Sequence, residues 1–196
     1  MKEKIKDIGS VIIVWFMMAW DDIKDLLVTM ITTFVVTTLL VHFLFAPVRV
    51  SGSSMYPNVL DGEIGFTSVI SKNVSGIDRF DIVVIDSDRV TVDLIKRVIG
   101  LPGEEISYCN EQLYINGEPL AEEFLDTPYY QQIKANGQMY TMDFSYQLGE
   151  NEYFCLGDNR PVSSDSRVYG PFSSKEIKAT GLFVIFPFSE FGSKGK

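Results

Sequence analysis

Histidine is all but missing from this chain: there is one in 196 residues, His42, and it lies within an apolar run. A Ser-His-Asp triad facing water cannot be assembled from it, so a serine nucleophile here needs another base. Cysteine is nearly as scarce. Cys109 and Cys155 make neither a disulfide framework nor, beside a single histidine, a zinc site; both are read as free thiols, and no cofactor or metal is expected. Positive charge is short as well. Against 26 Asp and Glu stand 17 Lys and Arg, a net charge of −9, with no basic cluster dense enough to follow a phosphate backbone. Nucleic acid is therefore not an expected partner. Internal repeats and low-complexity stretches are absent.

What the N-terminal part does have is apolar length. Leu26 to Phe45 runs 20 residues without Asp, Glu, Lys or Arg, which as a helix spans about the hydrocarbon thickness of a bilayer. No small-x-small cleavage pattern follows it, and Pro47 is expected to end it, so it reads as an uncleaved transmembrane anchor. The earlier run, Ile8 to Trp20, is 13 residues and closes on Asp21-Asp22-Ile23-Lys24-Asp25. A helix in the headgroup plane is preferred there over a second short span. With one span, Lys2, Lys4 and Lys6 hold the N-terminus inside and put the remainder outside the cell membrane. The expected division is a cytoplasmic or interfacial segment 1–25, a transmembrane helix 26–45 and an extracytoplasmic domain 46–196.

That last part reads as one mostly β domain. Val48–Val50, Ile64–Ile70, Asp81–Asp86, a longer strand over Val90–Ile99, Tyr153–Leu156 and Gly181–Phe186 are β-rich runs between turn signals, and Asn116-Gly117 marks a hairpin. Residues 119–150 alternate weakly and suggest a partly exposed lobe, inserted over roughly 104–152. On a period of two, Lys96 shares a strand face with Leu94 and Val98 while Arg97 points the other way. A lysine in such an apolar setting can be held neutral and serve as base for Ser54, the candidate nucleophile directly after the anchor.

Three stretches, in order behind an anchor, resemble the type I signal peptidases of bacteria, in their compact Gram-positive form. They are Gly52-Ser53-Ser54-Met55-Tyr56-Pro57, then Ile95-Lys96-Arg97-Val98-Ile99-Gly100-Leu101-Pro102-Gly103, then Gly157-Asp158-Asn159-Arg160 with Ser163, Asp165, Ser166 and Arg167. The resemblance implies an antiparallel-sheet serine endopeptidase that cuts signal peptides from exported preproteins after small-x-small (Ala-x-Ala) sites. It implies Ser54 as nucleophile, Lys96 as general base and Ser163 as the residue orienting the lysine, with the Ser54 N–H facing the oxyanion. Ion pairs among Asp158, Arg160, Asp165 and Arg167 would brace the site, and Val48, Val50 and Ile95 would line two shallow pockets. Met55, Tyr56 and the C-terminal aromatics would rest on membrane lipid.

The chain departs from the family pattern at Gly52, where some relatives carry a hydroxyl donor, and at Asn58, Phe80 and Pro161-Val162. Two rivals are a self-cleaving Ser-Lys repressor-type protease, which would need a helix-turn-helix, and a catalytically inactive anchored β domain that binds exported proteins.

Overall fold

The computed structural model describes residues 2–195, without the side chains of residues 2–14, 17, 18 and 42; those of Lys2, Lys4, Lys6 and His42 thus lie outside the described residues. Two compact units result, one through Phe43 and one from Leu44.

The first unit lies within helix α1, which runs unbroken over Lys2–Leu44, its last residue belonging to the second unit. Ile8–Trp20 is therefore not a separate helix but continuous with the run that follows it. The acidic segment expected to break it stays helical, with Lys24 Nζ 2.7 Å from Asp21 Oδ1 at (i, i+3), a spacing that a helix surface accommodates. Within α1, Ala19–Val41 is the one stretch among the described residues long and apolar enough to cross a membrane. It starts earlier than the expected 26–45, and Phe45 belongs to the first strand.

The second unit is built on antiparallel pairs. Strands β1 (Phe45–Arg49), β2 (Ile64–Ser68), β3 (Ile82–Ile85) and β4 (Leu94–Gly100) precede a second sheet of β5 (Glu105–Cys109), β6 (Gln112–Ile115), β7 (Glu118–Leu120) and β8 (Phe144–Gln147). The chain then returns through β9 (Glu152–Leu156), β10 (Phe172–Ser173), β11 (Ile177–Phe186) and β12 (Gly192–Ser193). The main sheet has the order β1-β2-β11-β3-β4-β9-β10, with β12 added on β11, and the smaller one the order β7-β6-β5-β8. Because β4 and β9 are neighbours, the whole smaller sheet is an insertion between two adjacent strands.

Local chemistry explains most of these elements. β3 is buried throughout, as its continuous β-branched run requires, and most of β4 is buried beside it. Asn116 and Gly117, with φ of +51° and +83°, turn β6 into β7 as an Asn-Gly hairpin does. β4 starts at Leu94, not Val90: the Val90 N–H donates to the Ser87 carbonyl in a turn, and Val92 is exposed. The 119–150 segment is more ordered than its weak alternation suggests. Thr127 caps a helix over Pro128–Ala135, and Tyr140, Thr141 and Leu148 are buried. One apolar cluster, with Ile99, Ile106, Tyr108, Leu113 and Phe154, joins the two sheets; a second gathers Val50, Met55, Val59, Ile82, Leu182 and Val184 behind the loop that follows β1.

Candidate active site

Lys96 occupies the middle of β4, between β3 and β9, and only 2% of it is exposed. Its Nζ lies 2.7 Å from Ser54 Oγ and 3.0 Å from the Ile95 carbonyl oxygen. Burial pulls the Lys96 ammonium down from an ordinary 10.5 to about 8, against the opposing pull of the negative charges of Asp165 and Asp158. The lysine and the hydroxyl thus touch, and burial brings the loss of the lysine's proton down to about pH 8.

Ser54 sits in a turn held from two sides. Gly52 takes φ of +95°, a conformation that glycine adopts without strain, and its N–H donates to Asp61 Oδ1 at 2.8 Å. On the other side, Asn159 donates its backbone N–H to the Ser54 carbonyl (2.9 Å) and its Nδ2 to the Ser53 carbonyl (3.0 Å). Nothing in the sequence marks Asp61, and Asn159 stands there only as a member of the third stretch, with no role of its own. A Cβ on Gly157 would stand 2.2 Å from Ser163 Oγ and 2.4 Å from the Ser54 carbonyl oxygen, so only glycine lets the third box pack this closely against the serine turn.

The ion pairs differ from those expected. Asp158 is held in a fork by Arg97, with Nε–Oδ1 2.9 Å and Nη2–Oδ2 2.8 Å, and both side chains are buried. Arg160 reaches out to Glu122 of the inserted lobe, while its Nε donates to the Gly157 carbonyl at 3.0 Å. Asp165 does pair with Arg167, through Nε and Nη2 at 2.8 Å each. Burial alone would raise the Asp165 carboxyl, but the Arg167 guanidinium and the Gly157 N–H outweigh it and hold it below its usual value. Arg97 and Glu122 are thus members of the polar frame that the sequence did not single out. Asn58 joins them: its Nδ2 donates to Asp158 Oδ2 and to the Phe124 carbonyl at 2.9 Å each. Arg97 also stacks its guanidinium 4.2 Å from the centre of the Phe124 ring.

Ser163 Oγ is buried and makes no well-directed hydrogen bond to Lys96; its hydroxyl faces the Asp165 carboxylate, whose charged form it favours. Met55 is a second departure from expectation. It does not face outward but is 2% exposed, packed with Val50, Val59 and Leu182. Tyr56 and the C-terminal aromatics Phe183, Phe186, Phe188 and Phe191 are exposed.

A groove of about 390 Å³ opens over Ser54 and Lys96, with Val48, Val50, Leu94 and Ile95 among its lining residues. Among the described residues no group of His, Cys, Asp and Glu is placed to hold a metal ion. The geometry is that of a covalent acyl-transfer site with an apolar approach.

Comparison with known proteins agrees with that chemistry. The family profile described as signal peptidase, peptidase S26, matches residues 23–186. Signal peptidase I S of Bacillus subtilis is 40% identical over 158 residues, covering 80% of this chain and 85% of that one. Signal peptidase I of Streptococcus pneumoniae is 36% identical over 181 residues, covering 77% and 87%. A crystal structure of a signal peptidase I from Enterococcus faecalis V583, 37% identical, covers 53% of this chain and 94% of its own at a TM-score of 0.48. The chain belongs to the signal peptidase family, peptidase S26.

Proposed function

We propose that this protein is a membrane-anchored serine endopeptidase that removes N-terminal signal peptides from exported preproteins, with Ser54 as nucleophile and Lys96 as general base. The observation that carries the assignment is the 2.7 Å contact between Lys96 Nζ and Ser54 Oγ, made by a lysine that burial brings to a pKa of about 8. Neutral Lys96 takes the hydroxyl proton as Oγ attacks the scissile carbonyl. The tetrahedral oxyanion meets the backbone N–H of Ser54. The Gly52 N–H does not serve beside it, being committed to Asp61. Lys96 then returns the proton to the leaving amine, and water, deprotonated in turn by Lys96, releases the acyl group.

Val48, Val50 and Ile95 line the groove beside the nucleophile, and their apolar surface suits small side chains on the acyl side and the Ala-x-Ala preference. Ser163, packed against Gly157 and beside Asp165, acts on Lys96 only through the third box, in which Asp158, Arg160, Asp165 and Arg167 act as structural braces. The Ala19–Val41 stretch anchors the chain as a single span, and the three lysines near the N-terminus favour an inside N-terminus with the β domain outside. Tyr56 and the exposed phenylalanines of the C-terminal part suit contact with membrane lipid.

Incubating the detergent-solubilised chain with a preprotein and sequencing the new N-terminus tests the reading. A single cut after a small-x-small site is expected, absent with Ser54→Ala and slowed with Ser163→Ala; binding without cleavage would instead support an inactive binding domain. Orientation has its own check. Protease added to intact wall-stripped cells should digest the chain beyond Pro47, and protection of that part would overturn the topology.

A further inference from the structure

The C-terminal segment touches the active-site frame at two separate points. β12 extends the main sheet along β11, pairing Ser193 with Phe183 and Gly192 with Val184, and the Lys194 N–H continues the attachment to the Leu182 carbonyl at 2.8 Å. From that position Lys194 Nζ stands 3.1 Å from Glu63 Oε1 and 2.7 Å from Glu190 Oε2. One residue on, the Gly195 carbonyl accepts from Arg97 Nη1 at 3.2 Å.

Glu63 is an expensive residue to leave alone. It is fully buried, and neither of its carboxylate oxygens accepts a well-directed hydrogen bond from a described residue. A carboxylate in that setting needs a counter-charge, and among the described residues Lys194 is the cation within ion-pair distance. The location matters for the groove. The Glu63 carbonyl accepts from the Val50 N–H at 2.8 Å, and the Val50 carbonyl accepts from Gly62 at 3.0 Å, so the Gly62–Glu63 backbone fixes the groove wall one residue before the serine turn. The second point of contact, Arg97, is the chain neighbour of Lys96 and the partner of Asp158.

We infer that Gly192–Gly195 is a strap that positions the catalytic apparatus, with Lys194 as the counter-cation that keeps Glu63, and through it Val50, in place, and the Gly195 carbonyl as a fixed acceptor for Arg97. Lys194 and Glu63 are positioning residues in this account; neither touches Ser54 or Lys96. The inference rests on the Ser54–Lys96 reading of the site.

The test compares kcat/KM of the full chain in detergent for wild type, Lys194→Met and the double variant Lys194→Met/Glu63→Gln, at a temperature where circular dichroism shows each to be folded. Lys194→Met strands the Glu63 charge and should lower kcat/KM by about tenfold or more, equivalent to about 1.4 kcal/mol of transition-state stabilisation. The double variant removes that charge and should recover to within about threefold of wild type, the sign of coupling between the two sites. A folded Lys194→Met with wild-type kcat/KM, or a double variant as slow as the single one, overturns the strap. Should Lys194→Met not fold, Lys194→Gln takes its place, since its amide keeps a donor beside Glu63 while removing the cation. A folded Lys194→Gln with kcat/KM lowered about threefold or more at unchanged Tm then supports a positional role, and wild-type kcat/KM overturns it. Failure of the underlying reading is distinguishable, because wild type itself would then release no product or Ser54→Ala would release as much.

Discussion

Lys96→Arg is expected to leave no measurable cleavage, as inactive as Ser54→Ala, and Lys96→Met should be equally inactive yet more stable than wild type. The base must be neutral to accept the Ser54 proton. Lys96 manages this because burial brings its pKa to about 8, leaving about a tenth of the molecules neutral at pH 7 and most of them above pH 8. Arginine stays charged above pH 12 and cannot follow. Stability moves in the opposite direction. A depression from 10.5 to about 8 means that the folded state disfavours the ammonium by about 3 kcal/mol, at about 1.4 kcal/mol per pKa unit. Because the unfolded chain stays protonated up to the higher value, wild-type stability rises with pH between about 8 and 10.5, and the full penalty applies below pH 8. Methionine fills similar space without charge and should gain about 1–3 kcal/mol at pH 7 in urea unfolding, a gain that shrinks above pH 8. A Lys96→Arg enzyme keeping more than about a tenth of wild-type kcat/KM would sink the base assignment, since that loss is only about 1.4 kcal/mol.

Asp158→Ala should be the most damaging single change outside the nucleophile and base, and its damage should be to folding. Arg97 and Asp158 are 1% and 0% exposed, and the guanidinium meets the carboxylate through two parallel bonds. Removing Asp158 leaves a buried guanidinium with the Phe80 and Gly195 carbonyls and the Phe124 ring but no counter-charge. Breaking a buried pair from one side costs about 3–5 kcal/mol, a large share of the 5–15 kcal/mol or so that holds a domain together. Asn58 also loses one of its two acceptors, which loosens the tie to the lobe. Denaturant unfolding of wild type, Asp158→Ala and Asp158→Ala/Arg97→Met checks this. The double variant should recover part of the loss, because no unpaired charge remains; a double variant as unstable as Asp158→Ala would show that the pair's charge is not what matters.

The parts of this molecule that depend on neighbouring residues are legible in its sequence, and those that depend on distant ones are not. The buried runs of β3 and β4, the Asn-Gly turn at Asn116 and the side of β4 on which Lys96 lies all follow from local period and composition. So does the candidacy of Lys96, since a chain whose lone histidine lies in an apolar run offers few other bases. The partner of Arg97 lies 61 residues away and that of Arg160 lies 38 residues away, and no period connects them. Asp61 and Asn159 look like ordinary turn residues until the chain folds them onto the serine turn from opposite sides. Met55 misleads for a related reason: the turn that exposes Ser54 carries its neighbour inward, where Val59 and Leu182 surround it. Thr91 and Val92 have strand composition but no strand partner, so β4 begins only at Leu94, which pairs with Ile85.

The central claim is that a buried, neutral Lys96 activates Ser54, and the pH dependence of kcat/KM for preprotein cleavage by the full chain tests it most directly. Deprotonation of Lys96 in the free enzyme should appear as a single ascending limb with its midpoint near pH 8, the value to which burial lowers it. Activity at pH 7 should then be about a tenth of the alkaline plateau. A profile that is flat from about pH 6 to 9, or one whose midpoint stays near the ordinary lysine value of about 10.4, would contradict the account.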